Sequence, residues 1–178
     1  MNVLALDLAT RTGWCHDDLG ARQPHSGVER LRTSEEPLWL AVANLIRLLE
    51  TRIRHNRPDL FAKEAMLPIA AMLKRKNMME NIELQSALHN TAAAIAHLYR
   101  IPLVDGSPAT IRKHFLGVSS AGDTKSTKLA VVQRCHLLGF LEKCRTDDNQ
   151  ADAIATWDWA CHTHGRPVSK ELFLFGEK

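Results

Sequence analysis

The chain has 178 residues, 45% of them apolar and 24% charged, with a formal charge of +3 and an isoelectric point near 8.8. That is enough apolar material for one substantial core, and no run approaches the roughly 20 apolar residues a membrane helix needs. A membrane-spanning chain is therefore excluded, as is a repeat array, since neither internal repeat nor low-complexity tract occurs.

In chain order, Val3 to Leu6 and Thr12 to His16 read as neighbouring strands across a turn, with Ser26 to Arg32 as a weaker third. Leu38, Val42, Leu45 and Leu49 recur at helical spacing before the Arg57-Pro58 break. A fourth strand, Asp59 to Lys63, is closed by Glu64. Leu84, Leu88, Ile95 and Leu98 mark a helix ending near Arg100, and Ile101 to Val104 forms a fifth strand. Ser107-Pro108 is a good cap and first-turn pair for a short helix to Phe115. Gly117 to Gly122 is the best candidate for a mobile loop. Asp123 or Thr124 caps the next helix, with Leu129 and Val132 facing inward, and Asp147, Asp148 and Asn149 open the last one. The order β-β-β-α-β-α-α-β-α-α-α implies an α/β fold with a mixed sheet covered by helices. A single domain over residues 1–165, followed by a C-terminal tail over 166–178, is expected, in the cytoplasm because no basic segment precedes a signal-like apolar stretch. Cys15, Cys135, Cys144 and Cys161 lack paired CxxC spacing and are expected as free thiols. Cys161, His162 and His164 imitate part of a zinc corner but lack a fourth ligand, so zinc is not expected there.

Three carboxylates carry the chemistry. Asp7 ends a nearly continuous apolar run, Glu64 ends a second, and Asp152 lies in an apolar helix. An ionised carboxylate beside apolar packing must be paired, hydrogen-bonded or bound to a metal. Asp148 and Asp152, four residues apart, share a helical face and repel each other, which hints at a shared cation. Oxygen-only ligation favours magnesium, with manganese as a substitute, over zinc or copper. Two such ions about 3.5–4 Å apart stabilise both ends of an in-line attack on a phosphodiester. Basic residues fall in two groups, Lys74, Arg75 and Lys76, and then Arg112, Lys113, Lys125, Lys128 and Arg134. Placed beside the acidic trio, they suit a polyanionic substrate whose phosphates need positioning. His89, His97, His114 and His136 receive no role.

The segments LALDLATRTGW, the strand ending at Glu64, SPATIRKHFLG, GDTKSTKLAVV and DDNQADAIA, in that order, resemble the bacterial RuvC-type Holliday-junction resolvases of the ribonuclease H-like superfamily. The resemblance implies a ribonuclease H-like mixed five-stranded sheet flanked by helices, and a DNA endonuclease that cuts branched DNA as a homodimer. It implies that Asp7, Glu64 and Asp152 bind divalent metal with Asp148 as a fourth member, and that Arg112 and Lys128 lie near the cleaved phosphate. In the resulting assignment Asp7 bridges, Glu64 and Asp152 flank, Asp148 is an auxiliary ligand or positions water, and Lys128 stabilises charge on the phosphate. Lys74, Arg75, Lys76, Lys113 and Lys125 complete the expected DNA-binding set.

Three positions depart from the family pattern. Asn149 stands where the family has an acidic or histidine ligand, and Ala65, Met66 and Leu67 stand where it often has an aromatic wedge. The first turn is also less glycine-rich, as in a divergent, phage-type branch. Two other readings remain: a module that binds branched nucleic acid without cutting it, and an actin-like ATPase using Asp7, Thr10, Thr12 and Gly13 as a phosphate hairpin.

Overall fold

The computed structural model describes residues 1–66 and 78–165. The described elements are strands β1 (Asn2–Asp7), β2 (Arg11–Asp18), β3 (Ser26–Arg30), β4 (Leu60–Glu64) and β5 (Leu103–Gly106), and helices α1 (Leu38–His55), α2 (Met78–Leu98), α3 (Pro108–Leu116), α4 (Thr124–Leu138) and α5 (Asp148–His164). The sheet order is β3-β2-β1-β4-β5. The first three strands form an antiparallel meander, and β4 and β5 join parallel to β1 through crossover helices. This is the expected mixed five-stranded sheet. Among the described residues, one helix separates β4 from β5 where the sequence reading places two. The tail over 166–178 lies outside the described residues.

Strand periodicity assigns each side chain to a layer. On β1, Val3 and Ala5 join the core cluster built with α3, α4 and α5, while Leu4 and Leu6 join the opposite cluster built with α1 and α2. On β4, Leu60 and Ala62 face the first layer and Phe61 the second. The same alternation carries Asp7 and Glu64 onto the α5 side and Lys63 onto the α2 side.

Helix α5 lies at the centre of its layer: every residue from Gln150 to Trp157 is buried. The sheet covers one face, and α3 and α4 cover the others. A helix enclosed on all sides shows little amphipathic pattern, which is why its sequence reads as an apolar stretch with few polar markers. Its start is pinned by polar contacts to the meander. The Asp147 carboxylate accepts from the Asn149 and Gln150 backbone N–H groups and pairs with Arg11 of β2. Gln150 Nε2 donates to Ser26 Oγ at 2.9 Å, and Trp157 Nε1 donates to the Asp17 carbonyl at 3.1 Å.

Gly13 is the residue of β2 opposite Asp7. A Cβ placed there would lie 1.9 Å from the Asn149 carbonyl oxygen. The first turn of α5 therefore rests directly on the strand backbone, as only glycine permits. Thr12, fully buried, donates its hydroxyl to the Ala9 carbonyl at 2.8 Å and closes the β1–β2 turn. Thr12 and Gly13 are thus both committed to the fold, the first to the turn and the second to the contact with α5.

Several expectations are corrected in detail. Leu129 is 56% exposed; the inward stripe of α4 is Thr127, Val131, Val132 and Cys135. Leu84 and Leu88 pack in the α1/α2 core, whereas Leu98 is 72% exposed. Strand β3 stops at Arg30, and Arg32 turns to donate to the Glu36 carbonyl and pair with Glu80. The fifth strand begins at Leu103, because the Ile101 N–H still donates to the Ala96 carbonyl at the end of α2. The expected caps Ser107 and Asp123 are present, accepting from the Thr110 and Ser126 N–H groups. All four cysteines are free.

Gly13→Ala must displace α5 from the sheet. It is expected to destabilise the protein by about 1–3 kcal/mol, lowering the melting temperature by roughly 2–10 °C; a thermal melt of purified protein measures it.

Candidate active site

The register that pairs Leu6 of β1 with Lys63 of β4 brings Asp7 and Glu64 together, one step further along both strands. Adjacent strands lie about 4.8 Å apart, and both carboxylates point toward α5. Asp152, one turn into that helix and buried, meets them from its own layer. Together they line a cleft of about 570 Å³ with Leu8, Ala65, Gln85, His89, Arg112, Lys128 and Asn149.

Burial raises the proton affinity of all three carboxylates, and neighbouring acidic charges add to it. Burial, then the charges of Asp152 and Glu64, hold Asp7 well above the usual carboxylate range. Burial and the Asp152 charge push Glu64 to about 7. Burial also lifts Asp152 to about 6, although Lys128 and Arg112 pull the other way. Three hard oxygen donors crowded in this way fit a divalent cation of the magnesium class, which would offset the repulsion. Their oxygens do not all lie within 4.8 Å of one another. A pair of ions tolerates that spread, because the flanking carboxylates then serve different ions.

The cationic wall has two parts. Lys128 Nζ donates to Asp148 Oδ2 at 2.5 Å. Burial opposes the charge on Lys128, but the bond and charge of Asp148 raise its proton affinity above the ordinary value, and the same bond lowers that of Asp148. Arg112, which lines the cleft, has its Nε buried without a hydrogen-bond partner.

From the cleft wall inward runs a chain of polar contacts that the sequence does not reveal. Lys63, buried, pairs with Asp105 at 2.8 Å and lies 3.0 Å from His89 Nδ1. An ammonium can only donate, so Nδ1 accepts and the ring proton sits on Nε2. Nε2 then donates to Gln85 Oε1 at 3.2 Å, and Gln85 Nε2 donates to the Leu8 carbonyl at 3.0 Å. Burial, then the Lys63 charge, lowers His89 to about 4 and keeps it neutral. The relay fastens the backbone just beyond Asp7. Its one sequence signal is Lys63, a charge inside an apolar strand.

The structure brings Asp7, Glu64, Asp152, Arg112 and Lys128 to one cleft. Asp148 does not line it and serves Lys128 instead. Asn149, the departure from the family pattern, does line it. Lys113 and Lys125 are exposed outside the lining, and Arg134 lines a different groove. Lys74, Arg75, Lys76 and Leu67 lie outside the described residues. Met66, which stands where the family often has an aromatic wedge, is half-buried, with Ser86 Oγ 3.8 Å from its sulfur.

No protein-family profile matches the chain, and no curated protein matches it by sequence. Solved structures do match. The RuvC structure from Thermus thermophilus aligns with a TM-score of 0.69 at 19% identity, covering 90% of this chain and 93% of that one. T. thermophilus RuvC in complex with Holliday junction substrate aligns at 0.67 and 20% identity, with the same coverage. The yeast mitochondrial Holliday junction resolvase Ydc2 aligns at 0.61 and 14% identity, covering 88% of this chain and 76% of that one. The chain has the RuvC-type, ribonuclease H-like fold.

Carboxylates with raised folded-state pKa values bind protons that the unfolded chain has released, so they add stability below the unfolded pKa that is lost as pH rises through the folded value. Buried His16 and His89, both lowered to about 4, act in the opposite sense, but only below the ordinary imidazole value near 6.5. Between about pH 6.5 and 8 the carboxylates dominate. Metal-free protein is expected to lose on the order of 1–2 kcal/mol of stability across that window. Asp7→Asn should flatten the loss and melt higher than wild type at pH 8, and manganese should stabilise only the wild type strongly; melts in EDTA and in manganese measure both.

Proposed function

We propose that this RuvC-type fold carries a metal-dependent endonuclease that cuts branched DNA and resolves four-way junctions by paired nicks, as a homodimer. The observation that supports it most is the convergence of Asp7, Glu64 and Asp152 in one cleft with Arg112 and Lys128 on its wall. A carboxylate cleft alone would repel DNA, and a basic groove alone would bind without cutting; the combination suits phosphodiester hydrolysis.

Asp7, Glu64 and Asp152 would hold the divalent ions, magnesium with manganese as substitute. Bound there, such ions lower the pKa of water and neutralise charge on the phosphate. The residues of the chain do the rest. Arg112 would turn its guanidinium to a non-bridging phosphate oxygen. Lys128, held by Asp148, places a positive charge beside the carboxylates where the phosphate gathers negative charge. Asp148 acts through Lys128 and is a positioning residue. Gln85 and His89 hold the end of β1 so that Asp7 keeps its place.

The T. thermophilus protein was solved with a Holliday junction, which makes a synthetic four-way junction the first substrate to test. A junction is two-fold symmetric, and a homodimer presents two identical sites to it. The remaining basic residues, Lys113, Lys125 and the Lys74, Arg75 and Lys76 cluster, are assigned to the DNA arms on charge alone.

With magnesium or manganese, a labelled junction is expected to be nicked symmetrically, and EDTA should abolish cutting. Asp7→Asn should lose cleavage while binding the junction with nearly wild-type affinity; normal cleavage by that variant overturns the metal site. Binding without cutting in either metal would instead identify a recognition module. Lys128→Ala should lower the single-turnover rate by about 10²-fold with a smaller change in junction affinity, read by single-turnover kinetics beside a gel-shift titration.

A further inference from the structure

Away from the cleft, α3 and α5 bring a second set of ligand groups together. His114 of α3 and Asp158 and His162 of α5 each offer one atom, all within 4.8 Å of one another, and no other three described residues do so. His114 Nε2 lies 2.9 Å from one Asp158 carboxylate oxygen, and His162 Nδ1 lies 3.5 Å from the other. The two imidazole centroids are 5.1 Å apart, with the rings tilted by 47°. Asp158 and His162 are one turn apart on one helix, the spacing by which a helix presents two ligands on one side. The carboxylate thus stands between two imidazoles from different elements, which exceeds what one ion pair between α3 and α5 would require.

We infer that His114, Asp158 and His162 form an open, three-ligand binding site for a divalent transition ion of the zinc class, one that ties α3 to α5. Imidazole nitrogens select such an ion over magnesium, so the site differs in chemistry from the carboxylate cleft. Three protein ligands leave a fourth tetrahedral position for water, and His114 borders an open groove that gives the ion access. His162 Nδ1 also lies 2.8 Å from the Asp158 carbonyl, so the ring either keeps that contact and ligates through Nε2 or gives it up and ligates through Nδ1. Cys161, the neighbour that makes the sequence imitate a zinc corner, faces the core instead, and His164 packs edge-on against Trp159. The consequence is mechanical. Arg112 is two residues before His114 and Asp152 six before Asp158, so the clamp joins two helices that both contribute to the cleft. The inference does not depend on what the cleft cleaves.

The test is cobalt uptake by the full chain in excess magnesium, followed by visible absorption and by melting with and without zinc. One equivalent of cobalt with nitrogen-ligand bands is expected in wild type and in Asp7→Asn. His162→Ala and His114→Ala should each weaken uptake by at least about tenfold. Zinc at roughly a hundred times its dissociation constant should raise the melting temperature by about 5–10 °C in wild type and Asp7→Asn but not in His162→Ala. The His162 side chain is 61% exposed, so its loss leaves the fold intact and metal-free melting verifies this. Absence of uptake, uptake that survives both histidine substitutions, or uptake lost in Asp7→Asn overturns the inference.

Discussion

Three carboxylates that repel one another are held in a single corner of the molecule, and most of the fold can be read as the means of holding them there. Burial, and for Asp7 and Glu64 the charge of a neighbouring carboxylate, raises the proton affinity of all three. The opposing restraint comes from backbone. Two come from neighbouring parallel strands whose register is set by apolar pairs, and the third from a helix whose buried residues cannot shift without opening the core. Strain concentrated at a functional site and borne by a rigid scaffold is a common arrangement in enzymes.

The docking of α5 is the most demanding part of that scaffold. Its first turn touches the β2 backbone at Gly13, its cap residue pairs with Arg11, and Gln150 and Trp157 bind β3 and β2. Behind β1 the relay from Asp105 through Lys63, His89 and Gln85 to the Leu8 carbonyl secures the other side. The carboxylate corner is therefore gripped from both layers of helices. The cationic residues are held more loosely: Arg112 keeps an open donor, and Lys128 depends on one carboxylate. The corner thus sets fixed acids beside more adaptable bases.

Much of this was legible from residue order. Asp7 and Glu64 stand out because each ends an apolar run, and strand ends are where charge escapes burial. Asp152 was legible because the cap at Asp147 fixes where its helix begins. The mixed sheet followed from three short strands preceding alternating helices and strands. Other features left no such trace. Asp148 has helical phase toward Asp152, but phase alone does not say that Lys128, twenty residues earlier, captures it. Leu129 looked inward because an apolar residue on a helix usually is, yet the stripe that packs on α5 runs through its neighbours. The His114, Asp158 and His162 cluster joins residues more than forty positions apart, and only the crossing of α3 and α5 brings them together. Tertiary contact, unlike periodicity, is not written in local spacing.

Strand β4 has a consequence for how this chain tolerates insertion and deletion. Lys63 and Glu64 are adjacent in sequence but belong to opposite layers, the lysine to the relay on the α2 side and the glutamate to the cleft on the α5 side. One residue gained or lost between Leu60 and Lys63 would invert that allocation, placing an ammonium among the carboxylates and a carboxylate beside His89. Point substitution can retune such a strand gradually. A frame slip cannot, because it exchanges both sites at once. Length in this segment is thus under tighter constraint than identity, and in an alignment of homologous chains it would appear as a block without gaps even where its apolar residues vary.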